Sequence, residues 1–275
     1  MQVIILGSGS PLPDPGRAGP STLVRTAAGD LLFDCGRGVL MRAAAVGSGA
    51  GAFRALFLTH LHSDHITDLN DIFTMRWVTS LVPNPLPVFG PGGTTTLLQA
   101  TEAMLRPEIG YRLAHHDDLQ WGPSSTVTEV DRGGIFEEGA VLVTAAPTDH
   151  APVRPTVGYR IDEGERSVVV AGDTVPCAGL DALCAGADVL VQTVVRPDLI
   201  EQFGLPRLTD VLDYHSSVAD AAQTAARNGV RVLVLTHLVP APAPGTEQEW
   251  LDQAAAHFDG EVILAADLLT VDVTG

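Results

Sequence analysis

The stretch THLHSDH, Thr59 to His65, puts three histidines and an aspartate within seven residues, directly after the apolar run ALFL. Only nine of the 275 residues are histidine, so three at positions 60, 62 and 65 need a chemical cause. Side chains along extended backbone repeat with period two, so His60 and His62 point the same way and can share one metal ion. Asp64 and His65 follow where the chain turns toward a helix, and can serve a second position beside the first. Neutral imidazoles and a carboxylate fit zinc, with Mn2+ or Fe2+ as substitutes.

A two-metal centre needs further ligands from distant chain. Three strand ends offer them: His150 in PTDH, Asp173 in AGDT and His237 in LTH. The expected division is His60, His62 and His150 on one metal, and Asp64, His65 and His237 on the other, with Asp173 bridging. A carboxylate suits the bridge because each of its oxygens can bind one ion while its charge offsets theirs. A single histidine at a strand end is ordinarily structural. The combination of HxHxDH with His, Asp and His at later strand ends is a specific metal pattern.

Those ligands need strands to carry them. Short apolar runs recur: QVIILG, TLVRT, DLLFD, ALFLTH, PVFG, VLVTAAP, TVGYRI, SVVVAGD, DVLVQTVV, VRVLVLTH and EVILAAD, each ended by Gly, Pro, Asp or a Thr-His pair. Helical patterns lie between several of them, in GVLMRAAAV from Gly38, TTTLLQATEAMLRP from Thr94, SVADAAQTAARNG from Ser217 and EQEWLDQAAAHF from Glu247. The chain therefore reads as α/β, with helices covering sheet faces. No Pro/Ser/Gly linker divides it. One domain over residues 1–275 is expected, built of two stacked αβ halves, about 1–155 and 156–275, with the site between their edges.

Composition excludes several chemistries. All sixteen basic residues are arginine, so a Schiff-base lysine and a P-loop lysine are both ruled out. Against thirty-three acidic residues the formal charge is -17, which repels polyanions and argues against a large nucleic-acid footprint. A small anionic substrate can still be drawn to a locally positive metal site. Cys35, Cys177 and Cys184 form no CxxC pair, so neither a disulfide framework nor a cysteine zinc site is expected. No 18-residue apolar span or signal-like start occurs, so a cytoplasmic protein with no membrane contact is expected.

With HxHxDH, His150, Asp173 and His237 in place, the chain resembles the metallo-β-lactamase superfamily over nearly its whole length. That resemblance implies a four-layer αβ/βα sandwich holding a dinuclear metal site at one edge. ILGSGSPLPDPGRAGPSTLV, LLFDCGRG and DYHSSVADAAQTA resemble the ribonuclease Z-like branch more narrowly. There a histidine of an HST-type motif expels the leaving group, a role that falls here on His215. The resemblance also gives Asp64 general-base character and implies a homodimer. Two departures stand out. Gln192 and Thr193, in VQTVV, replace the histidine and glutamate of the branch's HEAT segment. Only 22 residues separate His150 from Asp173, leaving no room for the long basic arm of bacterial tRNA-processing members.

The expected reaction is zinc-dependent hydrolysis of small or short phosphodiesters through a bridging hydroxide, with full-length tRNA disfavoured. An aryl sulfate, lactone or thioester could occupy the same site, and a catalytically silent, metal-stabilised binding protein is the reading from a different class. Among the remaining features, Asp34 reads as a partner of a metal-bound histidine. GSGSP at Gly7–Pro11 could cradle an anion. AHHDD at 114–118 could add a metal ligand or line the pocket but reads rather as a solvated loop, and His257 as a surface residue.

Overall fold

Apolar residues along the strands face two different environments in alternation, and that alternation builds the layers. The structure, a computed structural model, describes residues 1–274. One sheet contains β1 (Gln2–Gly7), β2 (Ser21–Thr26), β3 (Gly29–Phe33), β4 (Phe53–Phe57), β5 (Leu86–Gly90) and β6 (Ser125–Glu129). The other contains β7 (Gly133–Glu138), β8 (Val141–Pro147), β9 (Val157–Glu163), β10 (Arg166–Val170), β11 (Val189–Val195), β12 (Val232–Val239) and β13 (Glu261–Leu264). The last strand, β14 (Thr270–Asp272), returns to the first sheet. The two orders are β14-β1-β2-β3-β4-β5-β6 and β13-β12-β11-β10-β9-β8-β7.

Val3, Ile5, Phe33 and Phe57 of the first sheet meet Val143, Tyr159, Val168 and Val234 of the second in a core between the sheets. Their neighbours point the other way. Ile4, Leu6 and Leu32 pack on helices α1 (Val39–Ala45) and α3 (Leu69–Val78), and on Leu98 of α4 (Thr94–His115). Val169, Leu190 and Leu233 pack on α5 (Ala178–Cys184), α8 (Val218–Arg227) and α9 (Glu247–Ala255). The order helix, sheet, sheet, helix is the four-layer αβ/βα sandwich implied by the family resemblance.

The sheets divide the chain between β6 and β7, not near residue 155. β7 and β8 belong to the second sheet because β8 pairs antiparallel with β9, while β14 crosses back to pair with β1. β6, β7 and β14 had no strand signal: STVTE, GGIFEE and TVD are too polar or too short. Helix α4 runs beyond Pro107 as far as His115. Helix α8 starts at a capping box, in which Ser217 and Asp220 satisfy each other's backbone N–H. No helix among the described residues is long and apolar enough to cross a membrane.

Candidate metal centre

Strand direction gathers the candidate ligands at one edge. β10, β11 and β12 are parallel, and β9 runs antiparallel to both β8 and β10, so β8, β10 and β12 end on the same side. The carboxyl ends of such strands are where open α/β sheets bind ligands. His60 and His62 follow β4, Asp64 and His65 open the short helix α2 (Ser63–Ile66), His150 follows β8, Asp173 follows β10, and His237 lies near the end of β12. All are buried except His62, which is partly exposed.

Close backbone approaches lock the two sheet edges together. Gly172, at φ 67°, sits so near Thr59 that an added Cβ would lie 2.7 Å from the threonine Cβ, which fixes Asp173 beside His60. Gly36 backs onto α2 in the same way, 2.6 Å from the Asp64 carbonyl oxygen to where a Cβ would stand. Asp34 and His237 both hold left-handed backbone, at φ 55° and 49°. Such conformations cost energy and cluster at functional sites.

Hydrogen bonds then fix which ring nitrogen faces inward. Thr59 Oγ1 lies 2.8 Å from Asp34 Oδ2 and donates to it, so it accepts from His60 Nδ1 at 3.0 Å. His65 Nδ1 donates to Asp34 Oδ2 at 2.7 Å, and His150 Nδ1 donates to the Tyr214 carbonyl at 2.8 Å. With Nδ1 carrying the proton, the Nε2 lone pairs of His60, His65 and His150 point into the cluster. Asp34 thus occupies the partner position the sequence gave it.

His60, His62, His150 and Asp173 each offer a ligand atom within 4.8 Å of the others, and Asp64, His65 and His237 form a second such group. His60 Nε2 and His150 Nε2 lie 3.0 and 3.3 Å from His62 Nδ1. A proton on His62 could serve one of these contacts; a cation serves all three atoms. Asp173 Oδ2 stands between the groups, 3.7 Å from His60 Nε2, 3.8 Å from His150, 3.4 Å from His65 and 3.6 Å from His237. Asp64 Oδ2 lies 3.2 Å from His237 Nε2. Asp173 Oδ1, His65 Nε2 and His237 Nδ1 are buried without a hydrogen-bond partner among the described residues. Convergent lone pairs and an orphaned carboxylate oxygen fit divalent metal.

The electrostatics differ between the groups. Burial, with His65 nearby, holds His60 well below the ordinary histidine value. Burial also lowers His62 and brings His150 down to about 4. At His65 burial opposes the charged form, but Asp173 and Asp34 outweigh it and lift the pKa well above the ordinary value. Burial would raise Asp173, yet His237, His65 and the hydrogen bond from His215 keep it well below the usual carboxylate range. Burial would raise Asp64 too, but the hydrogen bond with His237 and the nearby charges of His65 and His237 together bring it below the usual carboxylate value.

His215 faces the same cluster, with Nε2 3.2 Å from Asp173 Oδ2. Its Nδ1 donates to the Val211 carbonyl at 2.9 Å. Burial lowers its pKa less than the Asp173 contact and the Val211 bond raise it. Among the described residues neither Gln192 nor Thr193 hydrogen-bonds to it. Gln192 lies between Leu190 and Val194, on the strand face packed by helices, and Thr193 Oγ1 bonds the Gly172 carbonyl. A backbone carbonyl does the orienting.

That carbonyl belongs to a cover the sequence did not reveal. Residues 197–213 form α6 (Pro197–Ile200), a 3₁₀ turn at Glu201–Phe203, α7 (Pro206–Thr209) and a second 3₁₀ turn at Asp210–Asp213. Pro at the start of α6 and of α7 was the available signal. The GSGSP loop holds no free anion cradle, because the chain's own Asp267 accepts from Ser8 N, Ser8 Oγ, Ala18 N and Arg42 Nε. His115, His116, Asp117, Asp118 and His257 are exposed, as expected.

Comparison with known proteins decides the family. A model described as "Beta-lactamase superfamily domain" matches residues 30–238. "Ribonuclease Z" of Mycobacterium avium (strain 104) is 54% identical over 275 residues, covering 99% of this chain and 98% of that protein. The chain belongs to the ribonuclease Z family of the β-lactamase superfamily. "Ribonuclease Z" of Mycobacterium bovis (strain BCG / Pasteur 1173P2) is 52% identical with the same coverage. In fold alone, the short form of human tRNase Z matches with a TM-score of 0.74 at 23% identity, each chain covered in full. YhfI from Bacillus subtilis, a metallo-β-lactamase fold protein, matches at 0.76 and 22%, covering 98% of both. Membership makes this chain a metal-dependent hydrolase with phosphodiesterase-type chemistry, and the silent binding-protein reading falls.

Proposed function

We propose that the chain is a two-zinc phosphodiesterase acting on small or short diesters. His60, His62 and His150 would hold one metal and Asp64, His65 and His237 the other, with Asp173 bridging. One observation carries this reading: Asp173 Oδ2 lies 3.4–3.8 Å from ligand nitrogens of both groups at once.

Bound metal supplies an acidified water near neutral pH and charge neutralisation at a phosphoryl oxygen. The protein's residues do the rest. Asp64, anchored by His237, orients the nucleophile and accepts its proton. His215 presents Nε2–H to the departing oxygen while Val211 prevents the ring from turning away, a step typically worth ~10²–10⁴ in rate. The close-packed Gly172 and Gly36 keep the candidate ligands in register.

Substrate size follows from charge. A tRNA body needs several phosphate contacts, each adding roughly -0.7 to -0.9 to the salt slope. A lysine-free chain at -17 is poorly equipped to make them. Between His150 and Asp173 the chain forms β9 and β10, joined directly at residues 164–165, which leaves no room for the long basic arm that the resemblance would put between these two residues. The relatives' name brings RNA into the proposal as a short strand offering one diester. A homodimer, implied by family resemblance, completes the reading.

The test is a substrate panel on zinc- and manganese-loaded protein: bis-p-nitrophenyl phosphate, cyclic nucleotides, p-nitrophenyl sulfate, a lactone and a tRNA precursor. Salt-insensitive cleavage of small diesters is expected. Hydrolysis of the sulfate or lactone alone would sink the phosphodiester assignment, and efficient precursor maturation at physiological salt would sink the size preference.

A further inference from the structure

Tyr214 stands between the two kinds of histidine in the candidate centre. Its ring centroid lies 5.1 Å from that of His150, with 79° between the planes, and 4.8 Å from that of His215, with 44°. Among the described residues it is the one Phe, Tyr or Trp whose ring packs against a histidine of the cluster. The bond that orients His150 comes from the Tyr214 backbone carbonyl, which any residue would supply. The aromatic side chain therefore needs a separate reason. It is partly exposed, whereas His150 and His215 are buried. Burial, and then the charges of Asp210, Asp173 and Asp213, raise the phenol above its ordinary value, so the ring stays neutral. A neutral π-face beside a charged floor suits a base, and not a phosphate.

We propose that Tyr214 is the stacking platform for one nucleobase flanking the scissile phosphate. The proposal rests on the phosphodiesterase reading above and names how that site holds a short RNA strand. With the phosphate between Asp173 and His215, the flanking base is one sugar away, and Tyr214 is the ring that packs on both a candidate ligand and the acid. Stacking uses the face of a base and not its edge, so it tolerates any sequence. It also needs no positive charge, which suits a chain at -17. Asp210 and Asp213, both exposed, close the turn that leads into Tyr214 and oppose the approach of further phosphates. One base is gripped while a longer polyanion is not.

Tyr214→Ala, Tyr214→Leu and Tyr214→Phe test this, with thermal melting as the check on folding. Leucine keeps the bulk without the π-face, and phenylalanine keeps the face without the hydroxyl. On zinc-loaded protein, kcat/KM is measured for the dinucleotide UpU and for its two analogues that each lack one base. The Ala and Leu variants should lose about tenfold or more on UpU, and Phe should lose little. On one of the two analogues the wild type should already show that loss, and the variants should add nothing to it. Calorimetry gives a readout apart from turnover: uridine 3′- or 5′-monophosphate should bind wild type about tenfold more tightly than ribose 5-phosphate does, and Tyr214→Leu should remove the margin. Equal losses on all three dinucleotides, a Phe variant as impaired as Leu, or unchanged kinetics and binding would each overturn the proposal. Wild-type protein that cleaves none of the three would overturn the phosphodiesterase reading instead, and the binding margin would still decide whether Tyr214 stacks a base.

Discussion

The floor of the site and its cover are built on opposite terms. Floor residues His60, Asp64, His65, His150, Asp173 and His237 are at most 5% exposed, stand at strand ends or on the first turn of α2, and are tied by Thr59, Asp34 and the Gly172 contact. The cover, residues 197–213, has no strand pairing, two four-residue helices and two 3₁₀ turns, with Phe203 and Leu205 more than half exposed. Chemistry that needs ligands held to fractions of an ångström sits on paired strands. The cover is a segment that can change without disturbing the sheets, the kind of loop on which recognition is commonly placed. His215 joins the two, because its Nε2 faces the floor and its Nδ1 hangs from the cover.

The largest expected break is in the floor. Asp173→Ala should cost more bound metal than any other single substitution and reduce diester hydrolysis by on the order of 10³-fold, since metal charge stabilisation is worth several kcal/mol. Metal content and kcat/KM measured together check it, and a variant that keeps its full metal complement would show Asp173 is no bridge. At the joint, His215→Ala should depress hydrolysis of alkyl diesters by about 10²-fold and of p-nitrophenyl diesters far less, because nitrophenolate departs without a proton. Equal losses on both substrates would remove His215 from the acid role.

A smaller effect comes from behind the ligands. Asp34→Asn should weaken metal affinity by roughly 10–100-fold, the usual cost of losing a carboxylate behind a metal-bound histidine. Competition with a chelator measures it.

Acid should separate the two halves of the floor. His150, at about 4, and His60, held well below the ordinary histidine value, stay neutral into acid, and His62 is lowered in the same direction. His65 is raised, so metal at its position must displace a proton even near neutrality. Lowering the pH should therefore remove metal first from the Asp64, His65 and His237 group and later from the other. Metal analysis across a pH series would show a two-step loss; a single concerted step would contradict that order. The smallest change is expected for Gln192→Leu, which should leave the leaving-group dependence unaltered because Gln192 faces the helices.

The floor was legible in the sequence because its residue types are scarce and strongly spaced. Three histidines in six positions after an apolar run, then His, Asp and His closing later runs, mark candidate ligands before any fold is known, and the fold brings them together. The apolar strands were legible for the same reason, since alternation between two cores leaves a continuous apolar run. Edge strands β6 and β7 were not, because STVTE and GGIFEE pair on one side and face solvent. The cover stayed hidden because four-residue helices carry no period. The Val211 carbonyl was beyond reach altogether: any residue supplies a carbonyl, so its place beside His215 leaves no mark in residue type. That same carbonyl also resolves the departure at Gln192 and Thr193, since the ring is oriented without either.

The central claim is that one carboxylate joins two metals on this floor. Anomalous diffraction from crystals of zinc-loaded protein tests it most directly. Two peaks about 3.5–4 Å apart are expected, with Asp173 in contact with both. A single peak held by His60, His62 and His150, with Asp64, His65 and His237 ligating nothing, would contradict it.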